Sequence, residues 1–194
     1  MSDQLYLSYR LHSPTPQIIV RGYEKLLKAF PYSRLTKRAS TLHVTAVTVG
    51  EPPLFEDSYP APLVIDNVLE AIREFAAADV SFAFEAWWDL WQFDKDDWQV
   101  APARVTLTAF APEFEAGLED DLRIEFGIDA LFLPQPERPN YVFMAQSNIR
   151  SLLHLVHQLD AMFPSADRML WTESGENFAV RLQEALSTPE SALQ

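Results

Sequence analysis

Four of the five tryptophans fall between positions 87 and 98, three of them in the run Phe82-Ala83-Phe84-Glu85-Ala86-Trp87-Trp88-Asp89-Leu90-Trp91-Gln92-Phe93 and the fourth at Trp98. In an extended strand, alternate side chains point to opposite faces. Phe84, Ala86, Trp88 and Leu90 then form an apolar row suited to a core, and Glu85, Trp87, Asp89 and Trp91 form a row of indoles and carboxylates. The same sorting sets Arg104, Thr106 and Thr108, and then Arg123, Glu125 and Asp129, opposite Val105, Leu107, Ile124 and Phe126. If helices cover only one side of the sheet, these polar rows share the uncovered side. Two indole rings among carboxylates suit a cationic group, through cation–π attraction and charge, or an Arg/Lys-rich patch on a protein. Glu85, Trp87, Asp89, Trp91, Arg104, Arg123 and Glu125 are therefore the candidate binding residues. The competing arrangement covers Trp87 and Trp91 with the proline-rich loops, because exposed indoles without a partner are a liability.

Other constellations are weaker. His43-Val44-Thr45 has the His-x-Thr form that two-histidine phosphoesterases use in pairs, one His as base and one as acid across a groove. None of His12, His154 and His157 supplies a second such motif, so His43 is expected to be a hydrogen-bonded strand residue. His154, His157 and Asp160 stand three apart on a helical segment but spread around its axis, which describes a solvated face and not a metal site. Asp94, Asp96 and Asp97 lack the turn glycine and distal bidentate Glu of a calcium loop. Ser174-Gly175 has no Gly-x-Ser-x-Gly elbow around it, and five glycines build no phosphate-binding loop. With no cysteine, disulfides, thiolate metal sites and Cys nucleophiles are excluded. No catalytic residue, metal or cofactor is expected, although Glu85, Asp89 or His43 could serve acid–base chemistry in a small-molecule enzyme.

Charge narrows the partners. The 194 residues carry 15 Lys+Arg against 28 Asp+Glu, a formal charge of -13. That sign opposes binding to nucleic acid and to anionic membrane surfaces and favours a basic protein or a cationic ligand. The N-terminal Met1-Ser2-Asp3-Gln4 carries no positive n-region and no apolar stretch approaches membrane-spanning length, so a cytoplasmic location is expected.

The elements that must position the tryptophan row follow from periodicity. Leu5, Leu7, Tyr9 and Leu11 alternate as a strand; Thr15 caps a helix with Pro16 in its first position, and Ile19, Tyr23, Leu26, Leu27 and Phe30 form its inner stripe. A strand over Leu42 to Val49 precedes a loop at Pro52 to Pro62, within which Leu54, Phe55 and Tyr59 pack down, and then a helix from Ile65 to Ala76. Strands are expected over 80–93, from about Ala103 to Phe110, and from Leu122 through the apolar Ala130-Leu131-Phe132-Leu133, with loops at 94–98 and 134–140. Ser147 caps a further helix that ends at Phe163; a short strand follows at Arg168 to Trp171, and Thr172 or Ser174 opens a last helix with Phe178, Leu182 and Leu186 inward.

The expected fold is a single α+β domain over 1–188 with a frayed tail at 189–194, its antiparallel or mixed sheet covered by helices mainly on one face. Ferredoxin-like β-α-β units are the specific form expected. Phe30-Pro31 and Phe163-Pro164, each closing a helix, are compatible with a duplicated unit. The expected function is that of an acidic binding protein, of bacterial immunity or adaptor type, engaging a basic partner. The alternatives are an enzyme or sensor using the tryptophan face as a pocket wall, and a self-associating domain that buries this face in a homodimer.

Overall fold

The computed structural model describes residues 3–187 apart from 117, 134, 136 and 175–177. The tail at 189–194 lies outside the described residues. Strand β1 (Gln4–Arg10) leads to helix α1 (Pro16–Ala29). Thr15 caps α1 by accepting from the Ile18 N–H at 3.2 Å, Pro16 fills the first turn, and Phe30 closes it. Strand β2 (Ser40–Ala46) stops three residues before the expected Val49, where Val47 takes a left-handed φ of 70° that no β-strand continues. The proline-rich segment after it is not all loop. Phe55–Tyr59 forms an edge strand, β3, paired with β2 from Ser40↔Tyr59 to Val44↔Phe55. Within it Tyr59 is buried and Phe55 half-buried, whereas Leu54 just before stays exposed. Helix α2 (Ile65–Glu74) follows as its stripe of Val68, Leu69 and Ile72 requires.

Strands β4 (Val80–Asp94) and β5 (Asp97–Phe110) form one continuous hairpin. The loop expected at 94–98 contracts to Lys95-Asp96, both at positive φ (50° and 64°), the geometry of a tight two-residue turn. Pro102 concealed the first half of β5, because a proline argues against a central strand. Here β6 pairs only with Thr106–Ala109, so at Pro102 one edge of β5 is unpaired. Strand β6 (Leu122–Ile128) ends before the apolar run expected to prolong it, which becomes a 3₁₀ turn at Asp129–Leu131 with Phe132 driven into the core. Helix α3 (Tyr141–Met162) begins six residues before Ser147, after Asn140 in the left-handed conformation. Strand β7 (Asp167–Thr172) and helix α4 (Phe178–Ser187) complete the chain, with Phe178 and Leu182 buried; the Leu186 side chain lies outside the described residues.

The seven strands of the described residues form one antiparallel sheet in the order β3-β2-β4-β5-β6-β1-β7. Strand β1 thus sits between β6 and β7, far from β2, which follows it in sequence. One row from each strand faces the helices: Leu42 and Val44 of β2; Phe82, Phe84, Ala86, Trp88 and Leu90 of β4; Val105 and Leu107 of β5; Ile124 and Phe126 of β6; Leu5 and Leu7 of β1. Trp88 packs among Phe30, Phe126 and Phe132, and the Tyr23 hydroxyl of α1 donates to the Leu107 carbonyl at 2.7 Å. The helices form one layer, with α1 between α2 and α3 and α4 beside α3. Among the described residues the other side of the sheet carries no helix, where helices mainly on one face were expected. Among the described residues, no helix is long and apolar enough to cross a membrane.

Candidate functional site

The candidate residues of β4, β5 and β6 lie on the helix-free face. Register places Trp87 directly opposite Arg104, Glu85 opposite Thr106, Thr106 opposite Glu125, and Thr108 opposite Arg123. Their surroundings, which no strand period could supply, divide the face into two ends and a middle.

At one end β4 outruns β2, whose pairing stops at Thr41↔Glu85, and the segment 31–39 takes its place along the edge. The Ser33 N–H donates to the Trp87 carbonyl at 2.7 Å, and the Trp87 indole N–H donates to the Ala39 carbonyl at 2.9 Å. The Asp89 carboxylate accepts from the Ser33 hydroxyl and from the Arg34 N–H. The Arg38 guanidinium lies 4.8 Å from the centre of the Trp87 ring. Trp87 is therefore half-covered, by this segment and not by a proline-rich loop. Arg138 and Pro139 instead serve Phe93 and Trp98: the Trp98 indole donates to the Pro139 carbonyl, and Arg138 lies over Phe93. Farther along, the Asn148 amide of α3 bonds both the N–H and the carbonyl of Trp91 at 2.9 Å and holds the free edge of β4.

At the other end, Tyr6 of β1 and Trp171 of β7 stack with centroids 4.4 Å apart. Arg123 reaches across them, ion-paired with Asp120 at 2.7 Å and 5.1 Å from the Phe110 ring. Burial, and then the Glu125 and Glu173 carboxylates, push the Tyr6 phenol up to about 12. The Trp171 indole donates to the Ser8 hydroxyl, which donates to Asp120. Alternation in β1 already implied a polar-side Tyr6; that Trp171 joins it depends on β7 pairing with β1, a contact more than 160 residues apart in sequence.

In the middle, Glu85 is ion-paired with Arg104, so it and Asp89 do not form a free pair of acid–base carboxylates. Glu125, between Thr106 and Tyr6, forms no ion pair within the described residues. Asp129, expected on this face, is instead buried at the end of β6, where it accepts the Asp3 N–H and lies 3.4 Å from Arg181, because the chain turns into the 3₁₀ helix there. The histidines lie elsewhere. His43 has its Nδ1 3.3 Å from Glu56 on β3, His154 and His157 are exposed, and Asp160 accepts from the Tyr9 hydroxyl at 2.9 Å. No group of three His, Asp or Glu residues among the described ones is placed to hold a metal ion.

Compared with protein-family models, with curated proteins and with solved structures, the chain matches none of them.

Proposed function

We propose that the protein is a binding protein whose helix-free sheet face engages a basic protein partner. The observation that carries this reading is the sheet itself: one side is sealed by helices, and the other presents Trp87, Tyr6 and Trp171 with Glu125 in their midst. Aromatic residues and arginine are the types enriched at the centres of protein interfaces. Acidity supports the sign of the partner. Near Phe110 the face adjoins a hollow of about 610 Å³ whose five carboxylates, on Glu113, Glu115, Glu119, Asp120 and Asp121, outnumber its one cation, Arg10. The overall charge of -13 would steer a basic protein toward it.

Peptide display tests this reading directly. Random peptides selected on the immobilised protein should be rich in Lys and Arg and should slow amide exchange in β4–β6. Thr106→Arg, at the centre of the face, should abolish their binding without lowering the melting temperature. Selected peptides that are acidic, or that protect only the helical layer, would refute the proposal.

The fold reading can be made finer. We infer a ferredoxin-like core of β1, α1, β5, β6, α3 and β7, with β2, β3, α2 and β4 inserted between α1 and β5. Support comes from the run β5-β6-β1-β7, in which the first strand lies between the third and fourth of that set, and from α1 and α3 both ending at a buried Phe before Pro.

A further inference from the structure

Positive charge is scarce in this chain, and four of its 15 Lys and Arg residues line one pocket. Lys28 projects from the last turn of α1, and Arg34, Lys37 and Arg38 come from the segment that follows it. The volume is about 640 Å³, and no carboxylate is among its lining residues. Lys28, Arg34 and Lys37 make no ion pair within the described residues, and Arg38 is engaged by the Trp87 ring and by no carboxylate. Cations gathered this way repel one another, a cost that an anion in the pocket would relieve.

The rest of the wall is largely apolar and held in place. Helix α2 opens on the pocket through its first residue, Ile65, with no side-chain cap from Val64 and with the Asp66 carboxylate in its first turn. Tyr32 contributes its ring to the wall and packs edge-on against Phe30 and Phe84, with its hydroxyl turned inward and buried. Leu27, Leu63 and the edge of Trp87 give the pocket an apolar side as well as a charged one. Segment 31–39 is not a loose flap: Asp89 holds it from behind through Ser33 and the Arg34 N–H, and Trp87 anchors it at Ala39. The cations thus stand on a preorganised support.

We propose that this pocket binds an organic phosphate of nucleotide size, its phosphates among Lys28, Arg34, Lys37 and Arg38 and its uncharged body against the Trp87 side. Ligand pockets commonly measure roughly 300–1,000 Å³ and combine an apolar wall with a few converging charges. The pocket borders the face proposed for a basic protein and shares Trp87 with it, but Arg34→Gln/Lys37→Gln tests the pocket and Thr106→Arg tests the face, so the two readings fail separately.

ATP without divalent metal, inorganic pyrophosphate and adenosine serve as probes, titrated at low salt with calorimetry and tryptophan fluorescence as readouts. ATP should bind saturably at one site per chain, pyrophosphate more weakly, and adenosine not measurably. The double variant Arg34→Gln/Lys37→Gln should weaken ATP at least tenfold. Lys95→Gln/Arg150→Gln, which removes two equally exposed charges elsewhere, should change it less than twofold. The assignment is overturned if ATP and pyrophosphate fail to bind, if the two double variants weaken ATP equally, or if Arg34→Gln/Lys37→Gln leaves it unchanged.

Discussion

Trp87 and Trp88 are neighbours in sequence and opposites in environment, and replacing each by alanine measures the two faces of the sheet separately. Trp88 is 4% exposed and packs against Phe30 and Phe126 at 5.7 Å and Phe132 at 6.3 Å between ring centroids. Its removal leaves a cavity walled by three rings that cannot collapse onto one another, and large-to-small changes of this kind cost about 3–5 kcal/mol. Trp87 has less to lose. Its indole N–H bond to Ala39 contributes about 1 kcal/mol, and the Arg38 contact about 0.5–1 kcal/mol at a partly exposed site. Trp87→Ala should therefore cost about 1–2 kcal/mol and loosen segment 31–39, and Trp88→Ala should cost two to three times as much. Urea titration followed by far-ultraviolet circular dichroism gives both values, and an unchanged m-value makes them comparable. Equal losses for the two variants would refute the division of faces, since a one-residue slip in register exchanges them.

Three further outcomes follow from other parts of the molecule. Asn148→Ala should cost about 2–4 kcal/mol and speed amide exchange at Trp91, because this buried side chain alone serves the Trp91 N–H, the Trp91 carbonyl and the Leu131 carbonyl. Burial raises the Asp121 carboxyl above its ordinary value, outweighing the Leu11 N–H that it accepts. The folded state then holds that proton more tightly than the unfolded chain, so the contribution favours folding at acid pH and is lost as pH rises through the raised value. Asp121→Asn should accordingly gain melting temperature relative to the parent as pH rises from acid to neutral, and a difference that stays constant or shrinks over that range would refute the assignment. Lys95→Asn/Asp96→Gly should raise stability by about 1 kcal/mol in the same urea titration, because both positions of the β4–β5 turn need positive φ.

Where a segment's own period determines its structure, the sequence was sufficient. The alternation from Phe82 to Leu90 placed Trp88 inward and Trp87 outward, Thr15-Pro16 located the start of α1, and Phe30 and Phe163 located two helix ends. These signals are local, since side-chain direction repeats every two residues in a strand and every 3.6 in a helix. The expectations failed where a distant partner decides. β3 is a strand because β2 offers it an edge, the front half of β5 tolerates Pro102 because β6 stops short of it, and Ala130-Leu131-Phe132 leaves the sheet so that Phe132 can fill the space beside Trp88. Ser147-Asn148 resembles a helix start, yet Asn148 lies inside α3 because its amide is needed at the bare edge of β4. The functional surfaces divide in the same way. The indole and carboxylate rows could be read from the strand period, but the cation pocket could not, because Lys28, the 34–38 segment and the start of α2 become one wall only when β2 pairs with β4 and the chain between them is drawn along that edge. Hydrogen bonds across strands and packing across helices are long-range in sequence, and no local pattern records which edge a segment will find.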